Sequence, residues 1–196
     1  MTFATKPRKE QIELVATDLF KTKGYTATTM RDIASSVGIE ASSIYSHIDS
    51  KEKILTSICF RIANAFMKGI EEVLNTNEPI EEKFRLAVEC HVEVITNEIA
   101  ASAVFWNEWR HLSEPLLSEF VALQRQYEQH FKSLIEKGVE ENVFEVYNLP
   151  FTVMAMLSSL NGIQKWHSYT LAPEELKKAF ASIFIKGLKK NNTASL

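Results

Sequence analysis

The sequence predicts an all-α fold of about nine helices in two parts. Glycine and proline are scarce, with six Gly and five Pro in 196 residues, whereas all-β folds need frequent turn residues. The 45% hydrophobic and 24% charged content is typical of globular proteins and argues against disordered or fibrous classes. Apolar residues also recur at amphipathic helical spacing, for example at Ile12, Val15, Ala16, Leu19 and Phe20.

Four helices are predicted in the first part of the chain, over about residues 9–23, 28–37 and 41–48 and from residue 51 onward. Gly24 and Gly38 end the first two, because glycine enters the left-handed region without a steric penalty from a Cβ atom. Side-chain oxygens that can accept from free backbone N–H groups precede two of the others. The predicted caps are Thr28 or Thr29 for the second helix and Asp49 or Ser50 for the fourth.

A turn at residues 75–79 separates the second part of the chain. Further helices are predicted there over about residues 80–100, 113–137 and 148–169 and from Pro173 onward. Residues 103–112 continue as a helix or a tight corner. Pro173 suits the first turn of the last helix, where a missing N–H group leaves no hydrogen bond unmade. We expect the polar residues 191–196 to form a flexible tail.

Charge alone does not indicate a nucleic-acid partner, because the net charge is −3. Residues 1–53 carry eight basic and seven acidic residues, and the remainder carries 14 basic and 18 acidic ones. This weak asymmetry fits a solvated surface as well as a DNA-facing end. Cys59 and Cys90 lie in apolar helical patterns and are interpreted as reduced thiols of a cytoplasmic protein. The most apolar stretch, residues 148–164, is too short and too polar to span a membrane, and no export signal precedes it.

The stretch from Thr28 to Leu55 has the pattern of a helix-turn-helix. Two short helices flank Gly38, and a third supports them, so the second of the pair would lie in a DNA major groove. Ile44 and Ile48 would turn inward, while small or hydrogen-bonding side chains would face outward. The competing interpretation is a structural helical bundle in which the Ser and Thr side chains only cap helices.

About the first 55 residues resemble the DNA-binding domain of the tetracycline-repressor (TetR/AcrR) family of bacterial transcription regulators. The matching residues keep their order and spacing: Leu19-Phe20, Gly24-Tyr25, Thr28-Thr29, Arg31-Asp32-Ile33-Ala34, Val37-Gly38-Ile39, Ser43-Ile44-Tyr45, His47, Ser50-Lys51-Glu52 and Leu55. The resemblance implies an all-helical homodimer that binds operator DNA and a small effector. It implies a DNA-binding domain over residues 1–50 and a ligand-binding and dimerisation domain over residues 51–190.

The resemblance also assigns DNA contacts residue by residue. The positions that would meet DNA are Ala41, Ser42, Ser43, Tyr45 and His47, with Thr29 and Lys51 beside phosphate and Arg8 before the first helix. Thr28 is a further candidate because it lies at a helix start, where free N–H groups suit phosphate. Ser46 is also a candidate DNA contact, at a position where many members carry a second aromatic residue. Ile48 replaces a frequent Phe and is still expected to fill the core.

The second part of the chain carries no catalytic or cofactor motif, so neither an enzyme nor a bound cofactor is expected. The histidines lack the spacing of a metal site: His47, His91, His111, His130 and His167. No metal is therefore expected.

Two groups of residues are candidates for an effector pocket. Aromatic bulk and a cation concentrate at Phe105, Trp106, Trp109 and Arg110, and polar groups interrupt an apolar helix at Asn161, Gln164 and Trp166. By resemblance, Arg125 and Tyr127 belong to a helix that faces the same cavity. The competing interpretation of the aromatic group is a core corner in which Arg110 extends its head group to solvent.

The last two helices are strongly apolar on one side, and the resemblance implies that they pair with a second copy in a four-helix bundle. Scattered positions resemble regulators that respond to acyl-CoA thioesters, for which Arg110 or Arg125 would meet phosphate, but a sensor of another hydrophobic molecule is equally compatible. The function indicated is a ligand-responsive repressor. Two alternatives stay open, a constitutive DNA-binding protein without effector and a small-molecule-binding protein with an incidental helix-turn-helix.

Overall fold

The computed structural model describes residues 5–165 and 171–190. Eight α-helices lie in these ranges: α1 (Arg8–Lys23), α2 (Met30–Val37), α3 (Lys51–Leu74), α4 (Ile80–Asn97), α5 (Ile99–Glu108), α6 (Leu116–Glu140), α7 (Leu149–Asn161) and α8 (Pro173–Leu188). Short 3-10 helices cover Ser43–Ser46, Trp109–His111 and Gly162–Lys165. The predicted all-α fold is confirmed. Within the described ranges, no helix is long and apolar enough to cross a membrane.

The chain forms two compact units. The first contains Met1–Ala63 and Glu98–Val121, and the second contains Asn64–Asn97 and Ala122–Leu196. The division differs from a boundary at residue 50, because the start of α3 and all of α5 pack with the N-terminal helices. The helices α3 and α6 each contribute residues to both units.

Local chemistry sets the ends of the helices in the first unit. Gly24 has a φ of +87° and Gly38 a φ of +76°, a backbone region that glycine enters readily. At the start of α2, the Thr29 hydroxyl accepts from the Asp32 N–H, and Asp32 in turn accepts from the Thr29 N–H. This reciprocal capping box satisfies backbone donors that the helix leaves free. The Ser50 hydroxyl accepts from the Lys53 N–H at 3.2 Å and caps α3 as predicted.

The third predicted helix is shorter than expected. A helix over residues 41–48 was the expectation, whereas the structure has a single 3-10 turn at Ser43–Ser46. The segment buries only Ile44 and Ile48, and the Ser46 hydroxyl donates to the Ser43 carbonyl at 2.7 Å. Serine side chains compete for backbone groups in this way and disfavour a longer α-helix.

The second unit is built on the pairing of α4 with α8 and on the core side of α6. Large buried side chains fill it: Phe84, Val88, Phe131, Ile135 and Leu160. Gly138 lets Phe144 approach closely, since a Cβ atom at Gly138 would lie 2.0 Å from the Phe144 ring. A short antiparallel bridge between Phe144 and Lys189 then joins the segment after α6 to the end of α8.

A further helix boundary differs from the prediction. The seventh helix ends at Asn161, not near Tyr169, and a 3-10 turn follows it. Gly162 donates to α7 carbonyls and tightens the helix end, which sequence periodicity does not report. Residues 166–170, and with them Trp166, lie outside the described residues, as does the predicted tail at 191–196.

Candidate functional site

The segment 41–48 separates its side chains into an inner and an outer set. Ile44 is fully buried and Ile48 nearly so, which anchors the segment to the first unit. Tyr45 is 55% exposed, and the remaining outward residues are Ser42, Ser43, Ser46 and His47, with Ala41 half-buried. The outward side chains of segment 41–48 are therefore open to solvent, with Ala41, Ser42 and Tyr45 lining one cleft and His47 lining another beside Lys9 and Lys53.

A cleft of about 750 Å³ lies beside this surface, between the starts of α2 and α3. The residues lining it are Thr28, Thr29, Met30, Arg31, Ala41, Ser42, Tyr45, Asp49, Ser50 and Lys51. Thr29 is exposed here, although its hydroxyl already takes part in the capping box. The cleft thus collects most of the predicted contact residues around two helix starts.

Thr28 does not offer its side chain to the surface. The residue is fully buried, and its hydroxyl donates to the Gly24 carbonyl at 2.8 Å. The prediction of a DNA contact by the Thr28 side chain is corrected, because the hydroxyl is used in closing the turn between α1 and α2.

Lys51 is also engaged within the fold. Its ammonium group donates to the carbonyls of Tyr25 and Thr28, both at 3.0 Å, and approaches that of Thr26 at 3.5 Å. The same nitrogen lies 4.4 Å from the centroid of the Tyr25 ring, a cation–π distance. Three N–H donors face three carbonyls, so Lys51 holds the turn before α2 in place.

Arg8 and Ser46 are exposed and make only local hydrogen bonds. The Arg8 guanidinium donates to the Gln11 side chain at 2.8 Å, and the Ser46 hydroxyl donates to the Ser43 carbonyl. Neither interaction buries the side chain. Both residues lie on the outside of the first unit.

The aromatic segment near Trp106 belongs to the core of the first unit. Phe105 is 2% exposed and meets the rings of Trp106 and Phe120 edge to face. Trp109 stacks on Phe120, and the exposed Arg110 lies over the Trp109 ring at 4.5 Å. This packing favours the core-corner interpretation of Phe105, Trp106, Trp109 and Arg110 over their assignment to an effector pocket.

A groove of about 530 Å³ lies in the second unit between α6 and α7. Two predicted residues, Arg125 and Asn161, line it together with Glu128, Gln129, Lys132, Pro150, Val153, Met154, Leu157 and Ser158. The α7 side is mostly apolar, while the α6 side is polar and carries two cations and the carboxylate of Glu128. Gln164 is buried beyond the end of α7.

Asn161 connects this groove to a buried histidine. The Asn161 Oδ1 atom lies 3.1 Å from Nε2 of His91, and the Tyr127 hydroxyl lies 3.0 Å from Nδ1. An amide oxygen can only accept, so Nε2 carries the proton and Nδ1 accepts from the tyrosine, as the hydrogen bonds assign them. Tyr127 therefore supports the core and reaches the groove only through His91.

Burial keeps His91 neutral. The residue is 1% exposed, and loss of hydration lowers its pKa to about 3, against the opposing effect of the hydrogen bond to Asn161. Burial likewise raises the pKa of Tyr127 well above its usual range. Sequence reasoning named Tyr127 and Asn161 but missed His91, whose only signal was a lone histidine on the apolar face of α4.

The cysteines and acidic residues do not assemble into a reactive or metal-binding centre among the described residues. No group of three or more His, Cys, Asp and Glu side chains is placed to hold a metal ion there. Burial raises the pKa of the Cys59 thiol to about 12, which suppresses the reactive thiolate at neutral pH.

Comparisons with known proteins agree with this architecture. Residues 14–58 match the family described as bacterial regulatory proteins, tetR family, and residues 77–188, more than half of the chain, match the tetracyclin repressor-like C-terminal domain. The transcriptional repressor KstR2 of Rhodococcus jostii (strain RHA1) is 28% identical over 138 residues, which cover 70% of this chain and 67% of that protein.

Solved structures share the fold. The ketosteroid transcriptional regulator KstR2 of Mycobacterium tuberculosis superposes with a TM-score of 0.88 at 20% identity, covering 95% of this chain and 97% of that one. AibR, solved with isovaleryl coenzyme A and operator DNA, gives a TM-score of 0.77 at 18% identity and covers 90% and 97%. The chain belongs to the TetR family of DNA-binding transcriptional regulators, a family of regulators and not of enzymes.

Proposed function

We propose that this protein is a repressor that binds operator DNA as a homodimer and releases it when an effector binds to the second unit. The observation that carries the proposal is the division of segment 41–48, in which Ile44 and Ile48 anchor and Tyr45 and His47 face outward. Such a segment can approach base edges and phosphates while its backbone is held by the core. Ser42 and Ser43 add small hydrogen-bonding contacts.

Dimerisation through α7 and α8 is supported by their exposed apolar side chains. Phe151 and Met154 on α7 are 63% and 59% exposed, and Ile183 on α8 is 63% exposed. Ala155, Ser158 and Ser159 continue the exposed stripe of α7 at helical spacing, and small residues allow close approach of a second helix. A two-fold dimer would present two copies of segment 41–48 to half-sites about 34–36 Å apart, or a multiple of that distance.

The groove between α6 and α7 suits an apolar effector with an anionic end. Val153 and Leu157 supply apolar surface, while Arg125 and Lys132 can meet a carboxylate or phosphate. An acyl-CoA thioester has this chemistry, and the related fold of AibR was solved with isovaleryl coenzyme A. The groove therefore replaces the aromatic corner at Trp106 and Arg110 as our candidate effector site.

Effector binding would act by shifting a population. In one conformation of the dimer, the spacing of the two DNA-binding units does not match the operator. A ligand that binds this conformation more tightly lowers the fraction of dimer that can bind DNA. Coupling of about 1–3 kcal/mol between two sites is typical and is enough to release an operator.

The proposal is tested by fluorescence anisotropy with DNA from the region upstream of the protein's own gene. We expect salt-dependent binding that isovaleryl-CoA or palmitoyl-CoA weakens and free CoA does not. Arg125→Ala and Lys132→Ala should reduce the response to the thioesters without changing the ligand-free DNA affinity. Lys68→Ala, which removes an exposed cation of α3, is the control and should leave the response to the thioesters unchanged.

Each alternative has its own outcome in this assay. Salt-dependent DNA binding that neither thioester nor an extract of cellular lipids changes would indicate a constitutive DNA-binding protein. Thioester binding without salt-dependent affinity for DNA would indicate a small-molecule-binding protein and would overturn the proposal.

A further inference from the structure

We infer that the side-chain amide of Asn161 is the hydrogen-bond donor that binds the thioester carbonyl of an acyl-CoA effector in the groove between α6 and α7, and that His91 is the positioning residue that orients this amide. The inference rests on the proposed effector site and adds the group that distinguishes a thioester from other chains with an anionic end. Arg125 and Lys132 can meet the phosphates of many ligands, so charge alone does not select a thioester.

The His91 imidazole is held by aromatic neighbours. The centroids of the Phe66 and Tyr127 rings lie 4.7 and 5.8 Å from that of His91, and the Phe131 ring meets it edge to face at 6.3 Å. Burial lowers the pKa of His91 to about 3, so at neutral pH its ring has one donor nitrogen and one acceptor nitrogen. The ring therefore presents two nitrogens of opposite character in a fixed orientation.

The hydrogen bonds of His91 set the direction of the Asn161 amide. The Tyr127 hydroxyl lies 3.0 Å from Nδ1, and the Asn161 Oδ1 atom, which can only accept, lies 3.1 Å from Nε2. When Nδ1 accepts the tyrosine proton, Nε2 carries the imidazole proton and donates it to Oδ1. The amide oxygen thus faces the core, and the NH2 group occupies the other branch of the amide.

The Asn161 NH2 group is available to a ligand. Asn161 is half-buried and lines the groove, and its Nδ2 atom forms no hydrogen bond with residues 5–165 or 171–190. Its two N–H donors therefore lie on the groove side, where a carbonyl oxygen can accept from them.

The apolar side of the groove leads to this amide. Val153 and Leu157 precede Asn161 by two helical turns and one turn on the same face of α7. An acyl chain that lies along this face would place its thioester carbonyl beside Asn161. A thioether of the same length has CH2 in place of the carbonyl and would leave the amide donors without a partner.

The test compares palmitoyl-CoA with hexadecyl-CoA, its thioether, by isothermal titration calorimetry on the full chain. Both ligands carry the same CoA charges, so the ratio of their affinities isolates the contact to the carbonyl. Wild-type protein should bind the thioester about five- to tenfold more tightly than the thioether.

Two matched variants assign the preference to one amide. Asn161→Asp keeps an oxygen for His91 and removes the NH2 group, so the preference for the thioester should disappear. Gln129→Glu makes the same amide-to-acid change at another residue of the groove and should keep the preference.

The positioning role of His91 has its own readouts. NMR of nitrogen-labelled histidine should show His91 neutral, with its proton on Nε2, at neutral pH. His91→Leu should reduce the preference for the thioester, and His91→Gln, whose amide can donate to Asn161, should restore most of it. If both His91 variants lower the melting temperature but keep the wild-type preference, His91 is structural and its positioning role is overturned.

The inference is overturned if wild-type protein binds the thioester and the thioether equally, if Asn161→Asp keeps the preference, or if His91 carries its proton on Nδ1. Equal binding of two ligands that both weaken DNA binding would overturn this inference and leave the proposed acyl-CoA effector in place. If neither ligand binds, the proposed effector fails together with the inference.

Discussion

The imidazole of His91 and the side-chain amide of Asn161 share a hydrogen bond of 3.1 Å in the second unit. His91 lies on α4 and Asn161 is the last residue of α7, so the bond joins these two helices through residues that are 70 positions apart in sequence. Asn161 also lines the groove between α6 and α7. A ligand that engages the Asn161 amide oxygen would compete with His91 for it.

The buried His91 should make the stability of the protein depend on pH. Its pKa is about 3 in the folded chain and near its usual 6.5 in the unfolded chain, so below pH 6.5 the unfolded state binds a proton that the folded state does not. The contribution of His91 to the free energy of unfolding should therefore be constant above about pH 7. Below about pH 6 it should fall by about 1.4 kcal/mol per pH unit as the pH is lowered.

The measurement is urea unfolding between about pH 7.5 and pH 5.5, above the range in which most carboxylates titrate. His91→Gln, which keeps a neutral hydrogen-bonding group, should lose most of this slope. The exposed His47→Gln serves as the control and should keep it. An identical slope in wild type and His91→Gln would show that His91 is not the source.

Tyr45 should contribute to DNA binding and little to folding. Because its ring is 55% exposed, Tyr45→Ala removes a surface contact, and we expect DNA affinity to fall by about 1–2 kcal/mol with stability nearly unchanged. Tyr147→Ala, at a fully exposed tyrosine of the second unit, is the matched control for anisotropy measurements. Ile44→Ala should instead destabilise the fold by about 2–5 kcal/mol, since Ile44 is fully buried. Unchanged DNA affinity in Tyr45→Ala would show that segment 41–48 is not part of the DNA interface.

The exposed apolar face of α7 and α8 should hold a dimer together. Phe151→Glu and Ile183→Glu should each shift sedimentation equilibrium toward monomer, because burying one such side chain is worth about 1.5–3 kcal/mol and a two-fold interface contains it twice. The control is Val139→Glu, which makes the same change at an apolar residue of α6 that is 39% exposed and lies outside the proposed interface. Wild-type protein that sediments as a monomer, or a dimer insensitive to both α7 and α8 variants, would contradict the proposed interface.

Gly138 should be intolerant of a larger residue. A Cβ atom there would lie 2.0 Å from one carbon of the Phe144 ring and 2.6 Å from another, so Gly138→Ala forces the ring and its neighbours to move. We expect a loss of about 1–3 kcal/mol in urea unfolding. Gly187→Ala is the matched variant in α8, where no atom lies within 4 Å of the added group, and helix propensity predicts a gain of up to about 1 kcal/mol. Equal effects of the two substitutions, at the same protein concentration, would refute the packing argument.

Predictions from the sequence were accurate where a short stretch of chain decides the structure. Gly24, Gly38 and Pro173 mark helix ends because their backbone preferences are local, and Thr29 caps α2 through a bond to Asp32 three residues away. The inward direction of Ile44 and Ile48 follows from apolar spacing in the same way. The third helix was predicted too long, since its serines bond to nearby backbone groups and only two residues bury their side chains.

The sequence by itself determined the all-α fold, most helix ends, the family and the outward face of segment 41–48. The tertiary structure alone decided which polar side chains are already engaged. Lys51 meets the carbonyl of Tyr25, 26 residues earlier, and His91 meets Asn161, 70 residues later. Periodicity and capping act over one or two helical turns, whereas these partners are brought together only by the packing of helices that are distant in sequence.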